Sequence, residues 1–253
     1  MAAAKQFGLI GNNLKNTFSV DFFNNKFIEN NLPFSYQNFE LQKVDEISQL
    51  IESNQALVGL NITVPFKESV IPLLQELDKS AAAIGAVNCI KITRENNQCF
   101  LKGYNTDVFG FSESLTEFIP QGFKGKALIL GTGGSSKAVQ YVCKQLGIEF
   151  TLVTSQSNKV NANTIRYYDL NDAVTVAHKL IINCTPVGMH PYPNEFPEIP
   201  YFALSKKHYC FDLIYLPHET QFMKQAKEQG AKVTNGLKML AIQAEKAFEI
   251  FVN

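Results

Sequence analysis

This chain has no excess charge of either sign, its 23 Lys+Arg balancing its 23 Asp+Glu. Proteins that grip nucleic acid or an anionic membrane surface carry a basic face, so polyanionic partners are not expected. Cysteine pairing is missing too: Cys89, Cys99, Cys143, Cys184 and Cys210 are odd in number, widely spaced, and form no Cys-x-x-Cys. That pattern excludes a disulfide framework and fits the reducing cytoplasm. The histidines, His178, His190, His208 and His218, never fall at a spacing that puts two ligands on one helix face, and no metal is expected. No apolar run approaches the span of a bilayer, and Met1-Ala-Ala-Ala-Lys5 leads straight into a strand-like segment without the apolar core of a leader. Neither membrane insertion nor secretion is indicated. What remains is 253 residues, 45% hydrophobic and 18% charged, enough for one large core or two moderate ones.

Strand-like segments at 7–10, 35–41 and 57–64 alternate with helix-like ones at 20–30 and 44–52. A second set of apolar strands follows at 126–130, 149–153, 180–183 and 209–214. The alternation predicts an α/β fold of βαβ units with largely parallel sheets. The near-continuous apolar runs of the second set predict strands buried on both faces. Between the sets lies Gly103-Tyr-Asn-Thr-Asp-Val-Phe-Gly110, and a domain boundary is expected close to Asp107. The closing helix places Leu240, Ala244, Ala247, Phe248 and Phe251 on one face, with Gln243 inside the stripe. An amide there must bond to backbone or serve a ligand.

Two motifs carry chemistry. In Gly59-Leu-Asn-Ile-Thr-Val-Pro-Phe-Lys67, Leu60, Ile62 and Val64 alternate with Asn61 and Thr63, and Pro65 stops the strand just before Lys67. Such a lysine either snorkels into a surface ion pair or, desolvated beside a carboxylate, serves as a proton donor. Asp107, in Asn105-Thr106-Asp107, is the candidate carboxylate. The second motif, Gly131-Thr132-Gly133-Gly134-Ser135-Ser136, is a glycine turn between a strand and a helix start, where backbone N–H groups can reach a pyrophosphate. The G-x-G-x-x-G spacing would put its third glycine at Ser136, so this is a variant, and a tight turn without a ligand is the alternative. After the next strand, Thr154-Ser155-Gln156-Ser157-Asn158-Lys159 offers no acid for the ribose 2′-hydroxyl of NAD. That favours NADP, although no arginine is present to clamp its 2′-phosphate.

Taken with Ile84-Gly-Ala-Val-Asn88, Asn183-Cys-Thr-Pro-Val-Gly-Met189 and Asn235-Gly236 through Gln243, these stretches make the chain resemble the shikimate dehydrogenases over nearly its whole length. The resemblance implies an N-terminal α/β substrate-binding domain, residues 1–106 completed by 236–253, and a Rossmann-type NADP-binding domain, residues 107–235. A C-terminal helix would return to the first domain. The implied reaction is the reversible NADP(H)-dependent reduction of 3-dehydroshikimate to shikimate, in chorismate and aromatic amino-acid biosynthesis. By position Lys67 and Asp107 match the family's catalytic pair, while Thr63, Asn88, Tyr215 and Gln243 match substrate contacts. Thr17 and Ser19 match the two serines of its carboxylate-binding motif, Thr17 keeping the hydroxyl donor that a carboxylate needs. Asn13, Asn16 and Val20 depart from the usual Pro, His and Pro.

For the cofactor, the resemblance implies contacts from Gly131, Thr132, Gly133, Gly134 and Ser135 in the turn, and from Thr154, Ser155 and Lys159 after the next strand. Thr185, Ile214 and Gly236 complete that set. Thr154-Ser155-Gln156 stands where NADP-dependent relatives typically have Asn-Arg-Thr, with Lys159 as the nearby cation. Two rivals remain: an NAD-dependent quinate/shikimate dehydrogenase, motivated by Ser155 and Thr17, and a dinucleotide-binding regulator that has lost the chemistry. Monomer and homodimer are equally compatible with the sequence.

Overall fold

The structure is a computed structural model that describes residues 4–14, 17–96 and 98–253. Among the described residues the strands form two six-stranded sheets. The chain divides into two compact units, Met1–Phe109 with Gln243–Asn253, and Gly110–Ile242.

The first unit runs β1 (Lys5–Gly11), α1 (Phe18–Glu29), β2 (Phe34–Glu40), α2 (Glu46–Ser53), β3 (Leu57–Ile62), β4 (Glu76–Leu77), α3 (Lys79–Ile84), β5 (Cys89–Glu95) and β6 (Gln98–Tyr104). Its sheet order is β2-β1-β3-β5-β6-β4. The strands are parallel across β2-β1-β3 but antiparallel from β3 to β5 and from β5 to β6. The sheet is therefore mixed, not largely parallel. The difference is the β5–β6 hairpin, whose reversal contains Asn96 at φ 50°, a left-handed value that asparagine tolerates well.

Because β2 and β3 lie on opposite sides of β1, the direction of winding reverses there, and the carboxyl ends of β1 and β3 are where sheets so wound receive ligands. Thr63 to Lys67 emerge at that point. Residue type alternates from Leu60 to Val64 but burial does not follow it, because β3 is a central strand covered on both faces. Leu60, Asn61 and Ile62 are all buried, while Val64, beyond the strand, is 67% exposed.

Helix α4 (Asp107–Phe118) leads into the second unit: β7 (Lys126–Leu130), α5 (Gly134–Gln145), β8 (Phe150–Thr154), β9 (Thr164–Arg166), α6 (Asp172–Ala177), β10 (His178–Asn183), β11 (Tyr209–Asp212), α7 (Gln221–Glu228), β12 (Lys232–Thr234) and the start of α8 (Leu237–Val252). All its strands are parallel, in the order β12-β11-β10-β7-β8-β9. This is the doubly wound Rossmann arrangement, with its switch point between β7 and β10. Leu128, Leu130, Val153, Ile181 and Cys210 fill the core cluster that these strands share with Phe222 and Ala226 of α7.

The end of α8 belongs to the first unit. Ala244 and Ala247 are fully buried, and the Phe251 ring lies 4.9 Å from Phe7 in a cluster with Phe23, Phe27 and Tyr36. Truncating an aromatic so buried costs about 3–5 kcal/mol, so the last turns of α8 anchor the β1–β3 face.

Candidate active site

The segment after β3 is tied along the end of β1: the Thr63 N–H donates to Ile10 O at 2.8 Å, and the Asn12 N–H donates to Val64 O at 3.4 Å. Phe66 is buried behind the turn, and the Val87 N–H donates to Lys67 O at 2.7 Å. With the backbone held, Lys67 Nζ donates to Asp107 Oδ2 at 2.6 Å, the two side chains being 14% and 12% exposed. The other carboxylate oxygen accepts from Asn88 Nδ2 at 2.9 Å. Asn88 is fixed in turn, Nδ2 donating to Thr106 Oγ1 at 3.0 Å and Oδ1 accepting the Thr106 N–H at 2.7 Å. The Thr106 hydroxyl donates to Gln243 Oε1 at 3.1 Å. A charge-assisted pair this short and this shielded is stronger than a surface ion pair, yet truncating either partner leaves a poorly solvated charge. An ammonium has three donors, and Asp107 engages one, so Lys67 can still donate to a ligand oxygen beside the carboxylate.

A second polar chain joins the start of α1 to this cluster. Ser19 lies close enough to the Tyr36 phenol to favour its ionised form, the Tyr36 hydroxyl donates to Asn61 Oδ1 at 2.8 Å, and Asn61 Nδ2 donates to Asn88 O at 3.3 Å. Burial, reinforced by Cys89, pushes the Tyr36 hydroxyl well above its ordinary range and keeps it neutral. Thr17 precedes α1 as its N-cap, but its hydroxyl donates to Asn38 Oδ1 at 2.9 Å instead of capping the helix. Asn38 Nδ2 donates to Leu14 O at 3.2 Å, which sets the polarity of the amide. A carboxylate arriving at Thr17 would therefore compete with Asn38 for the single hydroxyl proton. Asn13 takes a left-handed φ of 61°, Val20 lies in α1, and Asn16 falls outside the described residues.

In the second unit the glycine turn sits at the carboxyl end of β7, at the switch point. Gly131 has φ 101°, and a Cβ there would stand 3.0 Å from Thr185 Cγ2, so both backbone and space demand glycine. Gly133 is different: its φ is −84° and a Cβ would meet open space. Nothing in the protein demands glycine there, which fits a turn left bare for close approach by a pyrophosphate, just before the free N–H groups of α5. Ser136, in the third-glycine position, is fully buried and folds its hydroxyl onto Gly133 O at 2.7 Å. Thr132 and Thr154 bring their hydroxyls within 3.3 Å, and Lys159 Nζ reaches Thr132 O at 3.5 Å. Ser155 is exposed beside them. The residues of the turn, Thr154 and Lys159 thus gather at one end of the sheet in an arrangement that suits NADP.

Residues 9–90 match the family model described as the shikimate dehydrogenase substrate binding domain. An NADP(+) shikimate dehydrogenase of Methanosphaera stadtmanae is 35% identical over 260 residues, covering 96% of this chain and 90% of that protein. The chain belongs to the shikimate dehydrogenase family. The Thermus thermophilus shikimate 5-dehydrogenase, solved with NADP(H) and shikimate, superposes with a TM-score of 0.84 at 29% identity, covering 98% of this chain and 93% of that one. Quinate dehydrogenase from Corynebacterium glutamicum, solved with NAD, has a TM-score of 0.87 at 25% identity, covering 98% and 94%.

For this member of the shikimate dehydrogenase family, the remaining candidates lie in the second unit. Thr185 follows β10, its N–H and hydroxyl both donating to Asn183 Oδ1 at 3.0 and 2.7 Å. Ile214 and exposed Tyr215 follow β11, and the Gly236 N–H donates to Ile214 O at 3.0 Å. A Cβ on Gly236 would come within 2.1 Å of Leu213 O, so only glycine permits that approach. Sequence reasoning did not single out Tyr36, Asn38, Asn61 or Asp212. The signal was present, since each is a polar residue inside a strand, three of them buried. Thr106 was noticed only as a neighbour of Asp107.

Proposed function

We propose that the chain catalyses the reversible NADP(H)-dependent reduction of 3-dehydroshikimate to shikimate, with Lys67 and Asp107 as the catalytic pair. The observation that carries this reading is the Lys67–Asp107 contact of 2.6 Å with Asn88 on the second carboxylate oxygen. When bound, NADPH supplies the hydride. Lys67 stabilises and protonates the oxyanion that forms on the reduced carbonyl. Asp107 holds the lysine and accepts from a ring hydroxyl, so the substrate is oriented as the ammonium is. Thr63, Asn88 and Gln243 bond the ring hydroxyls, Tyr215 adds a further contact, and Thr17 and Ser19 receive the carboxylate.

In the cofactor site, Gly131 to Ser135 offer backbone to the pyrophosphate, with Thr185, Ile214 and Gly236 completing the walls. Thr154, Ser155 and Lys159 face the 2′-phosphate, Lys159 acting in place of an arginine. The NAD-dependent quinate reading is weaker: the NADP(+) relative is 35% identical over 96% of the chain, against 25% for the quinate enzyme. All five cysteines are free, which supports a cytoplasmic location. Among the described residues no helix is long and apolar enough to cross a membrane.

The test is oxidation of shikimate and of quinate with NADP and NAD in parallel. Shikimate with NADP should give the highest kcat/KM. Faster turnover of quinate with NAD overturns the choice of substrate, and dinucleotide binding without any turnover supports a regulator.

A further inference from the structure

Asp212, at the end of β11, is fully buried and takes no part in the chemistry above. An ionised carboxylate only accepts hydrogen bonds. Three donors converge on it: Asn183 Nδ2 and the Ile214 N–H reach Oδ1, each at 3.0 Å, and the Thr220 hydroxyl reaches Oδ2 at 2.6 Å. The partners are neutral, so the group has no ion pair to offset its desolvation. An apolar side chain there would strand all three donors, so the carboxylate both satisfies them and fixes where they point.

That geometry concerns Asn183. The two ends of an amide are similar in size and opposite in chemistry, and the acceptor-only carboxylate at 3.0 Å, with Val187 O a longer second acceptor at 3.4 Å, turns Nδ2 toward itself. Oδ1 is then left for Thr185, whose N–H and hydroxyl both donate to it. The Thr185 methyl stands 3.0 Å from the Cβ position of Gly131 in the glycine turn. Through its same oxygen Asp212 also holds the Ile214 N–H, and Ile214 O accepts the Gly236 N–H. One buried group therefore organises the loops after β10 and β11 together.

We infer that Asp212 is a positioning residue for the cofactor site, setting the polarity of Asn183 and so the placement of Thr185 and Ile214. This rests on the reading of those two residues as dinucleotide contacts. The test compares Asp212→Leu, which removes the acceptor, with Asp212→Asn, which keeps one acceptor oxygen for Asn183 and Ile214. NADPH binding is measured by fluorescence titration without substrate, and kcat and the shikimate KM are measured at saturating NADP. The leucine variant should bind NADPH roughly tenfold more weakly or worse, with kcat and the shikimate KM within about twofold of the parent. The asparagine variant should recover most of the affinity.

A folded leucine variant that binds NADPH like the parent overturns the inference, as does an asparagine variant as weak as leucine. If leucine prevents folding, Asn183→Ala, which removes the oriented amide and keeps Asp212, must show the same cofactor-selective loss, and normal binding there overturns it. A parent protein that does not bind NADPH refutes the cofactor reading itself, a different failure.

Discussion

Replacing Lys67 by methionine keeps the length and packing of the stem and deletes only the ammonium. Asp107 then loses the donor at 2.6 Å on Oδ2 and keeps Asn88 on Oδ1. Breaking a fully buried pair costs about 3–5 kcal/mol of stability. Here each side chain retains some solvent contact and half of the carboxylate stays bonded, so about 1–3 kcal/mol is the expected loss, the range for an unsatisfied buried group. The effect on turnover should be larger. A positioned proton donor contributes about 10²–10⁴ in rate, or about 3–5 kcal/mol of the barrier. Because the ammonium acts chiefly where charge develops on the carbonyl oxygen, the loss belongs in kcat and not in KM. Steady-state NADPH formation at varied shikimate separates the two, beside a urea titration that measures stability. Asp107→Asn and the double variant complete the cycle: two groups that act as a unit should give a double variant no worse than the poorer single one. A kcat within about tenfold of the parent with the damage confined to KM, or losses that multiply, would refute the pairing of these residues in one catalytic role.

Burial raises the Asp212 carboxyl from 3.8 to about 6 against the opposing bonds from Thr220, Ile214 and Asn183. The folded protein thus holds this proton more tightly than the unfolded chain, so its stabilising contribution is full below the unfolded value and is lost as pH rises through about 6. Measured against Asp212→Asn by urea unfolding, parent stability should fall by about 3 kcal/mol between about pH 4 and about pH 8, and a constant difference would contradict this. Ser155→Arg should supply the missing phosphate fork and lower the KM for NADPH about tenfold while leaving that for NADH unchanged, whereas equal changes would place Ser155 away from the phosphate. Gly236→Ala should lower the melting temperature by several degrees, on the order of 2 kcal/mol or more, because its Cβ would meet Leu213 O; unaltered thermal unfolding would show that the loop yields freely.

Local pattern was enough for much of the fold. The four apolar strands foreseen in the second unit are β7, β8, β10 and β11: β7, β10 and β11 are buried over most of their length, as apolar runs imply, whereas β8 is fully buried only at Val153 and Thr154. Glycine at 131 announced its turn for an equally local reason, a backbone angle closed to other residues. The β5–β6 hairpin has no helix between its strands, so the rhythm of alternating strands and helices does not reveal it. At β3 the residue types alternate, yet the strand is central and holds Asn61 buried among its polar partners, which alternation by itself does not reveal.

Chain order alone settles composition, charge balance, the rhythm of strands and helices, and the presence of a lysine delivered by Pro65 to a strand's end. Those features depend on neighbours within a few positions. Which polar groups meet is another matter. Lys67 and Asp107 lie 40 residues apart, Tyr36 and Asn61 25, and Thr106 and Gln243 137. The partner of a buried polar side chain is chosen by whichever donor or acceptor the packed sheet brings within about 3 Å, a distance fixed by sheet order and helix docking. For that reason Asn38 at Thr17, Asn183 beneath Thr185, and Asp212 behind both loops became visible only in the folded chain.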